Sequence, residues 1–353
     1  MTQTAVQTMN TSQGLEQSMS WRQILILFAK GLQQSPSTRD AYRKSLVPFF
    51  KWCDSTGRDF RSLLKTDIIA YRTYLESPEH PRQSKTIQLY LCAIRQYFQW
   101  LNSETGYPNI AAGIKAPRTF TRDGFNRESL TNEQAARLLR YFQDYHRSRP
   151  GCPARGRGRR FRDAELLALR NYAMVNLMLR CGLRTVEVSR LRVMNVAERR
   201  GFRVLYIWGK GHARPGEDRQ PDDYVRLTDK AYGPVAEYLS ARGGHLDPAS
   251  PLFCSYESGR EGQDLTPRMI QMICKNGLRA IGLDGSEYSA HSLRHTTGDM
   301  LIEQGASLLD TQTAMRHQSP KTTEIYIRRS MQKSKLESPA AALLDDCFDI
   351  EEQ

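Results

Sequence analysis

Apolar side chains recur three and four residues apart over long stretches of this chain, a spacing that fits helices and argues against a sheet protein. Between Trp21 and Leu101 the pattern repeats four times. Ile24, Leu25, Leu27 and Phe28 form one face. Tyr42, Leu46, Phe49, Phe50 and Trp52 form a second, with Ser37 as its expected N-cap. Ile68, Tyr71 and Leu75 form a third, opened by Asp67, and Ile87, Leu91, Ile94, Tyr97, Phe98 and Leu101 a fourth. Helices with such faces and short connections predict a compact bundle over residues 20–114. Residues 1–19, whose only charged side chain is Glu16, offer too little to bury and are expected to be disordered.

Residues 115–128 read as a linker: Lys115 and Arg118 flank Pro117, and Thr, Asp, Gly and Asn follow without apolar periodicity. A second domain, 129–332, opens at Leu130 and Thr131 with Gln134 in the capping-box position. Its first helix carries Ala135, Leu138, Leu139 and Phe142. Residues 146–162 hold seven arginines among Gly and Pro, including Arg155, Arg157, Arg159 and Arg160, and read as a flexible surface loop that would add salt-sensitive affinity for a polyanion. An apolar helix from Glu165 to Arg180 ends at Gly182. Two strand-like runs, FRVLYIWG and DDYVRL, flank a polar loop, and another helix is expected at 266–280 through Met269, Ile270, Met272 and Ile273. The fold class is therefore mainly α with a small β-hairpin or sheet.

The chain has 353 residues, with 51 Lys and Arg against 38 Asp and Glu, a net charge of +13 that favours a polyanionic partner. No apolar run is long enough to span a bilayer and no signal peptide opens the chain, so a soluble, cytoplasmic protein is expected. Seven cysteines without a Cys-x-x-Cys pair suit reduced thiols and predict neither a disulfide framework nor a structural metal.

The chemistry is concentrated in residues 289–326. His291 and Arg294, three apart, project from one side of a helix whose other side would take Met300, Leu301 and Ile302. Gly305 reads as a helix stop and Ser307 as the next N-cap. Leu308, Leu309 and Met315 read as the buried positions of that next helix. His317 falls just beyond it, and Ser319 and Pro320 start a short helix with Tyr326 two turns along. Taken singly these are ordinary side chains. A His and an Arg on a helix are most often solvated, a Tyr is most often core, and a helix, Gly, helix run around Arg184 also describes a simple DNA-binding turn.

Order and spacing together are more informative. HSLRH followed by RHQSPKTTEIY, with CGLRTVEVSRL upstream, resembles the tyrosine recombinase (phage-integrase) family. The resemblance runs from about residue 21 to 330 and implies an N-terminal helical core-binding (SAM-like) domain and a C-terminal catalytic domain. It implies a catalytic set of Arg184, Lys210, His291, Arg294, His317 and the nucleophile Tyr326, with Glu187 supporting. Lys210 lies in the Gly-Lys-Gly of the polar loop. In the family a glycine precedes the second histidine. Here it is Arg316, which must be strained or adopt another geometry.

Two guanidiniums can grip the non-bridging oxygens of a phosphodiester without Mg²⁺, Tyr326 can attack to leave a 3′-phosphotyrosyl link, and Lys210 can protonate the leaving 5′-oxygen. The resemblance thus implies a site-specific recombinase or integrase acting through a Holliday junction, for integration, excision or transposition of a mobile element, with no cofactor. Its partner would be double-stranded DNA with paired sites, bound by a homo-tetramer that is monomeric or weakly associated when free, at the nucleoid of a prokaryote. On the bundle, Arg39, Arg43, Lys44, Lys85 and Arg95 are expected phosphate contacts, with Arg118 in the linker. Residues 333–353 end in Ala341, Leu343, Leu344, Phe348 and Ile350, an apolar set expected to dock on a neighbouring protomer. A type IB topoisomerase and a non-catalytic DNA-binding regulator are the rival readings.

Overall fold

The computed structural model describes residues 19–117, 128–144, 159–208, 221, 223–243 and 246–337, with the backbone alone described at 159–164 and 336–337. The chain divides into two compact units, Met1–Gly124 and Phe125–Gln353.

The first unit contains α1 (Trp21–Gly31), α2 (Pro36–Ser55), α3 (Lys65–Glu76) and α4 (Ser84–Thr105). Helix α1 starts in a capping box, where Gln23 Oε1 accepts from Ser20 N at 2.9 Å and Ser20 Oγ from Gln23 N at 3.4 Å. Helix α2 is capped by Ser35 rather than Ser37, and Pro36 is the reason: lacking an N–H, it suits the first helical position and draws the start two residues upstream. Asp67 lies in the first turn of α3 rather than opening it, and its Oδ2 accepts from Leu64 N at 2.8 Å.

An aromatic core of Trp21, Phe28, Phe49, Phe50, Tyr71, Tyr97 and Phe98 lies between these helices. Leu27 is not part of it; with Ile26 it faces solvent on α1. Of the basic residues on the outer faces, Arg43 and Lys44 pair with Asp40 at 2.9 and 2.6 Å, and Arg95 Nε donates to Leu91 O at 3.3 Å. Lys85 is exposed and Arg39 half-buried.

In the second unit, α5 (Asn132–Asp144) begins with the expected capping box, Thr131 N to Gln134 Oε1 at 2.9 Å and Gln134 N to Thr131 Oγ1 at 3.2 Å. Helix α6 (Arg159–Cys181) is longer than its apolar stretch and buries Ala173, Met174, Val175, Leu177 and Met178 on successive sides. Gly182, at φ +58°, ends it and leads through a single turn, α7 (Thr185–Val188), and a 3-10 turn (Val193–Asn195) to a sheet.

The sheet comprises β1 (Val196–Arg199), β2 (Phe202–Ile207) and β3 (Asp223–Arg226), antiparallel in the order β1-β2-β3, with Val204 opposite Arg226 and Ala197 opposite Val204. Strand β1 adds to the expected hairpin; four residues with two charges carry no readable alternation. Helix α8 (Asp229–Arg242), capped by Thr228, packs Ala231, Val235 and Tyr238 against α6.

Helix α9 (Pro267–Ala280) leads to α10 (Ala290–Glu303), α11 (Leu308–Met315) and α12 (Pro320–Glu337). Some apolar assignments need correction. Met272 and Leu309 are exposed and Leu308 only partly covered; α11 buries Met315 as expected and Thr311 besides, and Met300, Leu301 and Ile302 are only partly covered. The last helix is eighteen residues long, not short.

Cys53, Cys181, Cys254 and Cys274 are buried free thiols. No helix among the described residues is long and apolar enough to cross a membrane. Lys210, Arg118, Arg155, Arg157, the side chains of Arg159 and Arg160, and the apolar tail set fall outside what is described.

Candidate active site

Three chain segments converge where α6 ends. Gly182 turns the backbone so that its carbonyl points toward α10, and there Arg294 donates from Nη1 to Gly182 O and from Nη2 to Met315 O. A guanidinium with 2 % exposure thus joins the ends of α6 and α11. Burial, with Arg184 next, pushes Arg294 below the ordinary guanidinium range to about 9 against the pull of Glu187, so it stays charged at neutral pH. Removing this side chain would strip the Met315 carbonyl of its donor, at about 1–3 kcal/mol, and leave Gly182 O with Arg316 Nη2 alone.

Arg184 follows the Gly182 turn and caps α7. Its N–H and Nη1 donate to Glu187 Oε2 and Oε1 at 2.8 and 2.5 Å. Glu187 is buried, and its second oxygen also accepts from Arg316 Nη2 at 3.0 Å. Burial alone would raise this carboxyl, but Arg316, the Arg184 N–H, and the Arg184 and Arg294 charges outweigh it and hold the group below its ordinary value. Arg184 itself keeps a third of its side chain exposed and lines the cavity.

Helix α10 starts at Ser289, whose Oγ accepts from His291 N at 3.3 Å, and this cap aims the first turn, with the exposed His291, at the same cavity. One turn on, His295 lies edge-on to His291 with ring centroids 4.6 Å apart. Burial, then His291 and Arg329, press His295 down to about 3, so it is neutral. Its Nδ1 is buried without a hydrogen-bond partner among the described residues.

Helix α12 is fastened to α10 by Arg329–Asp299 and Lys333–Glu303, each at 2.9 Å, two ion pairs repeating at i, i+4 on both helices. Between them and the cavity lies Tyr326, packed against Gly298 so closely that a side chain at 298 would meet its ring. The phenol is 2 % exposed, and burial pushes it up to about 12 although Arg294 opposes this. His317 stacks on the Tyr326 ring, centroids 6.0 Å apart and planes 16° apart, while its Nδ1 meets Thr323 Oγ1 at 2.9 Å. Burial, Arg294 and Arg184 press His317 down to about 4.

The left-handed turn that presents His317 is made by Arg316 itself, at φ +53° and ψ +50°. Of the geometries open to it, the chain adopts the strained one, which costs an L-residue about 1–2 kcal/mol.

Five of the six expected catalytic residues, Arg184, His291, Arg294, His317 and Tyr326, line one cavity of about 190 Å³ together with His295, Lys321, Thr322 and Ile325. This is smaller than the roughly 300–1,000 Å³ of pockets that enclose drug-sized ligands. Its cationic walls suit a phosphate group.

Comparison with known proteins gives the same picture over both units. The Phage integrase family description matches residues 159–333, and the Phage integrase, N-terminal SAM-like domain matches residues 26–105. The chain belongs to the tyrosine recombinase (phage integrase) family. It is 28 % identical to tyrosine recombinase XerC of Actinobacillus pleuropneumoniae over 307 residues, covering 85 % of this chain and 86 % of the relative. It is 25 % identical to tyrosine recombinase XerD of Bradyrhizobium diazoefficiens over 296 residues, 82 % and 86 % respectively.

Among solved structures, XerH bound to a palindromic difH substrate in a post-cleavage complex shares the fold at a TM-score of 0.63 and 17 % identity, covering 85 % of this chain and 79 % of that one. The Tn1549 transposon integrase in complex with a circular intermediate DNA does so at 0.63 and 14 %, covering 90 % and 99 %. The protein is therefore a tyrosine-type, site-specific recombinase, a DNA strand-exchange enzyme.

The recombinase cavity holds residues that sequence reasoning did not pick out. His295 was legible in principle, since it sits at i+4 from His291 on one helical stripe. Lys321 and Thr322 on the cavity wall, and Thr323 buried against His317, carried no signal beyond their nearness to Tyr326.

Proposed function

We propose that this recombinase cuts and rejoins two DNA sites by passing each strand through a 3′-phosphotyrosyl link on Tyr326, with exchange through a Holliday junction, to integrate, excise or transpose a mobile element. The observation that carries this reading is the convergence of Arg184, Arg294 and His317 around the Tyr326 phenol in one small cationic cavity of a single chain. The same convergence favours cleavage in cis, with each protomer supplying both its phosphate grip and its nucleophile.

In this reading Arg184 and Arg294 hold the non-bridging oxygens and offset the charge that grows in the pentacoordinate transition state. The Tyr326 oxygen bonds to phosphorus as the bond to the 5′-oxygen breaks, and Lys210 supplies that oxygen with its proton. His291, exposed at the mouth of the cavity, handles protons, and neutral His317 donates a hydrogen bond to the phosphate. Glu187 orients Arg184. Because the phosphotyrosyl bond conserves the phosphodiester's energy, a 5′-hydroxyl from another strand reverses the step without ATP.

The basic residues of the bundle, Arg39, Arg43, Lys44, Lys85 and Arg95, with Arg118 and the arginine-rich loop (Arg155, Arg157, Arg159, Arg160), add phosphate contacts that position the duplex. Four protomers act on two duplexes, each tail docking its apolar set on the next protomer in a closed cycle.

The test is recombination between two plasmid-borne copies of the DNA that flanks the gene, alongside relaxation of supercoiled plasmid lacking those sites. Recombinant product that needs both copies supports the proposal. Efficient relaxation without sites and no recombinant product would instead make the protein a topoisomerase in outcome.

A further inference from the structure

Arg316 holds a backbone conformation that glycine would adopt without strain, yet its side chain is not idle. The guanidinium is 5 % exposed, and Nη1 donates to Cys181 O at 3.2 Å and Ala314 O at 3.0 Å. Nη2 donates to Gly182 O at 3.2 Å and to Glu187 Oε2 at 3.0 Å. One planar group therefore ties the end of α11 to the end of α6 and to the buried carboxylate that also binds Arg184.

A carboxylate facing a single arginine commonly takes it in a two-bond fork, which occupies two of its nitrogens. Here Glu187 is shared. Arg184 gives it Nη1 at 2.5 Å, while Nη2 reaches the Arg316 carbonyl at 3.5 Å, the outer limit of hydrogen bonding. The cluster of Arg184, Arg294 and Arg316 against Glu187 also keeps a net positive charge beside the cavity.

We propose that Arg316 is a positioning residue for strand cleavage. It occupies one oxygen of Glu187 and the carbonyls of the 181–182 turn, and so holds Arg184 beside Arg294 with donors left for a phosphate oxygen. The inference rests on Arg184 being a phosphate ligand and deepens that reading. It assigns a part to a side chain whose own turn calls only for glycine.

The experiment is single-turnover cleavage of a nicked half-site substrate by wild type, Arg316→Gly and Arg316→Lys, with the folded fraction measured for each and Tyr326→Phe run in parallel. Glycine suits the turn, so a purely conformational role predicts no loss per folded molecule. The proposal predicts unchanged half-site binding and a cleavage rate lower by roughly 10- to 100-fold, the scale on which groups supporting a charged site act. Guanidinium ion added to Arg316→Gly should restore part of the rate. Arg316→Lys keeps the charge but cannot hold Glu187 and the turn carbonyls together, so it should fall between the two.

In a Glu187→Gln background the Arg316→Gly loss should shrink, because the two act as one unit. Wild-type cleavage by either folded variant overturns the proposal. An adduct that survives in Tyr326→Phe would instead overturn the reading of the site on which it rests, so the two failures are separable.

Discussion

His317 Nδ1 lies 2.9 Å from the Thr323 hydroxyl, and both side chains are buried. With the imidazole held down to about 4 by burial, Arg294 and Arg184, the ring is neutral at physiological pH and carries one proton. A hydroxyl donating to Nδ1 puts that proton on Nε2, free to donate to a phosphate oxygen. Thr323→Val keeps the shape and removes the donor. Cleavage should fall by about tenfold, the worth of one hydrogen bond of ~1.4 kcal/mol, with DNA affinity retained. Unchanged cleavage would mean that the tautomer is set by something other than Thr323.

The two low imidazoles also set a pH window. His295 is pressed to about 3 and His317 to about 4, both below the ordinary histidine value of 6.5. Between those values the unfolded chain binds more protons than the folded one, so stability rises with pH through this range. Their contribution is complete above about pH 6.5 and is lost as pH falls toward 4. Urea midpoints measured from pH 4 to 8 should rise and then level off. His295→Phe, which has no proton to gain, should flatten part of the slope.

Tyr326 depends on the absence of a side chain at 298. Because a Cβ at Gly298 would meet the phenol ring, Gly298→Val should displace the ring from the cavity. Overpacking of this kind costs about 1–3 kcal/mol, and cleavage should fall by at least tenfold while half-site binding holds. Wild-type cleavage by Gly298→Val would show that the tyrosine works from another position.

How much of this could be read beforehand differs from element to element. The four N-terminal helices follow from their apolar spacing because each buries one clear stripe, Phe28 or Tyr97 inward and Arg or Gln outward. Start signals were less secure: Ser35 and Ser37 are both competent caps, and only Pro36 at the first helical position decides between them. Helix α8 was not anticipated, since Gly233 and Pro234 lie inside it and weaken the signal. In the site, Arg184, Arg294 and Tyr326 were legible as a set through their order along the chain. Their convergence depends on tertiary facts that no spacing encodes: the carbonyls of Gly182 and Met315 turned toward Arg294, and a carboxylate shared by two arginines. That Arg316 stands where a glycine is expected was legible; the strained geometry it takes and the work of its side chain were not.

Lys210 as general acid makes a prediction that depends on the leaving group. An alkoxide needs a proton and a thiolate does not, so Lys210→Ala should be strongly impaired on ordinary DNA and much less so on a substrate with a 5′-phosphorothiolate at the cleaved bond. Equal defects on the two would assign Lys210 to phosphate binding.

The central claim, that Tyr326 is the residue joined to DNA, is tested most directly by trapping the covalent complex on a nicked half-site, digesting it and locating the nucleotide-bearing peptide by mass spectrometry. The account predicts the adduct on Tyr326 and none in Tyr326→Phe, which should still bind the half-site. An adduct on another tyrosine, such as Tyr288, or one that persists in Tyr326→Phe, would contradict it.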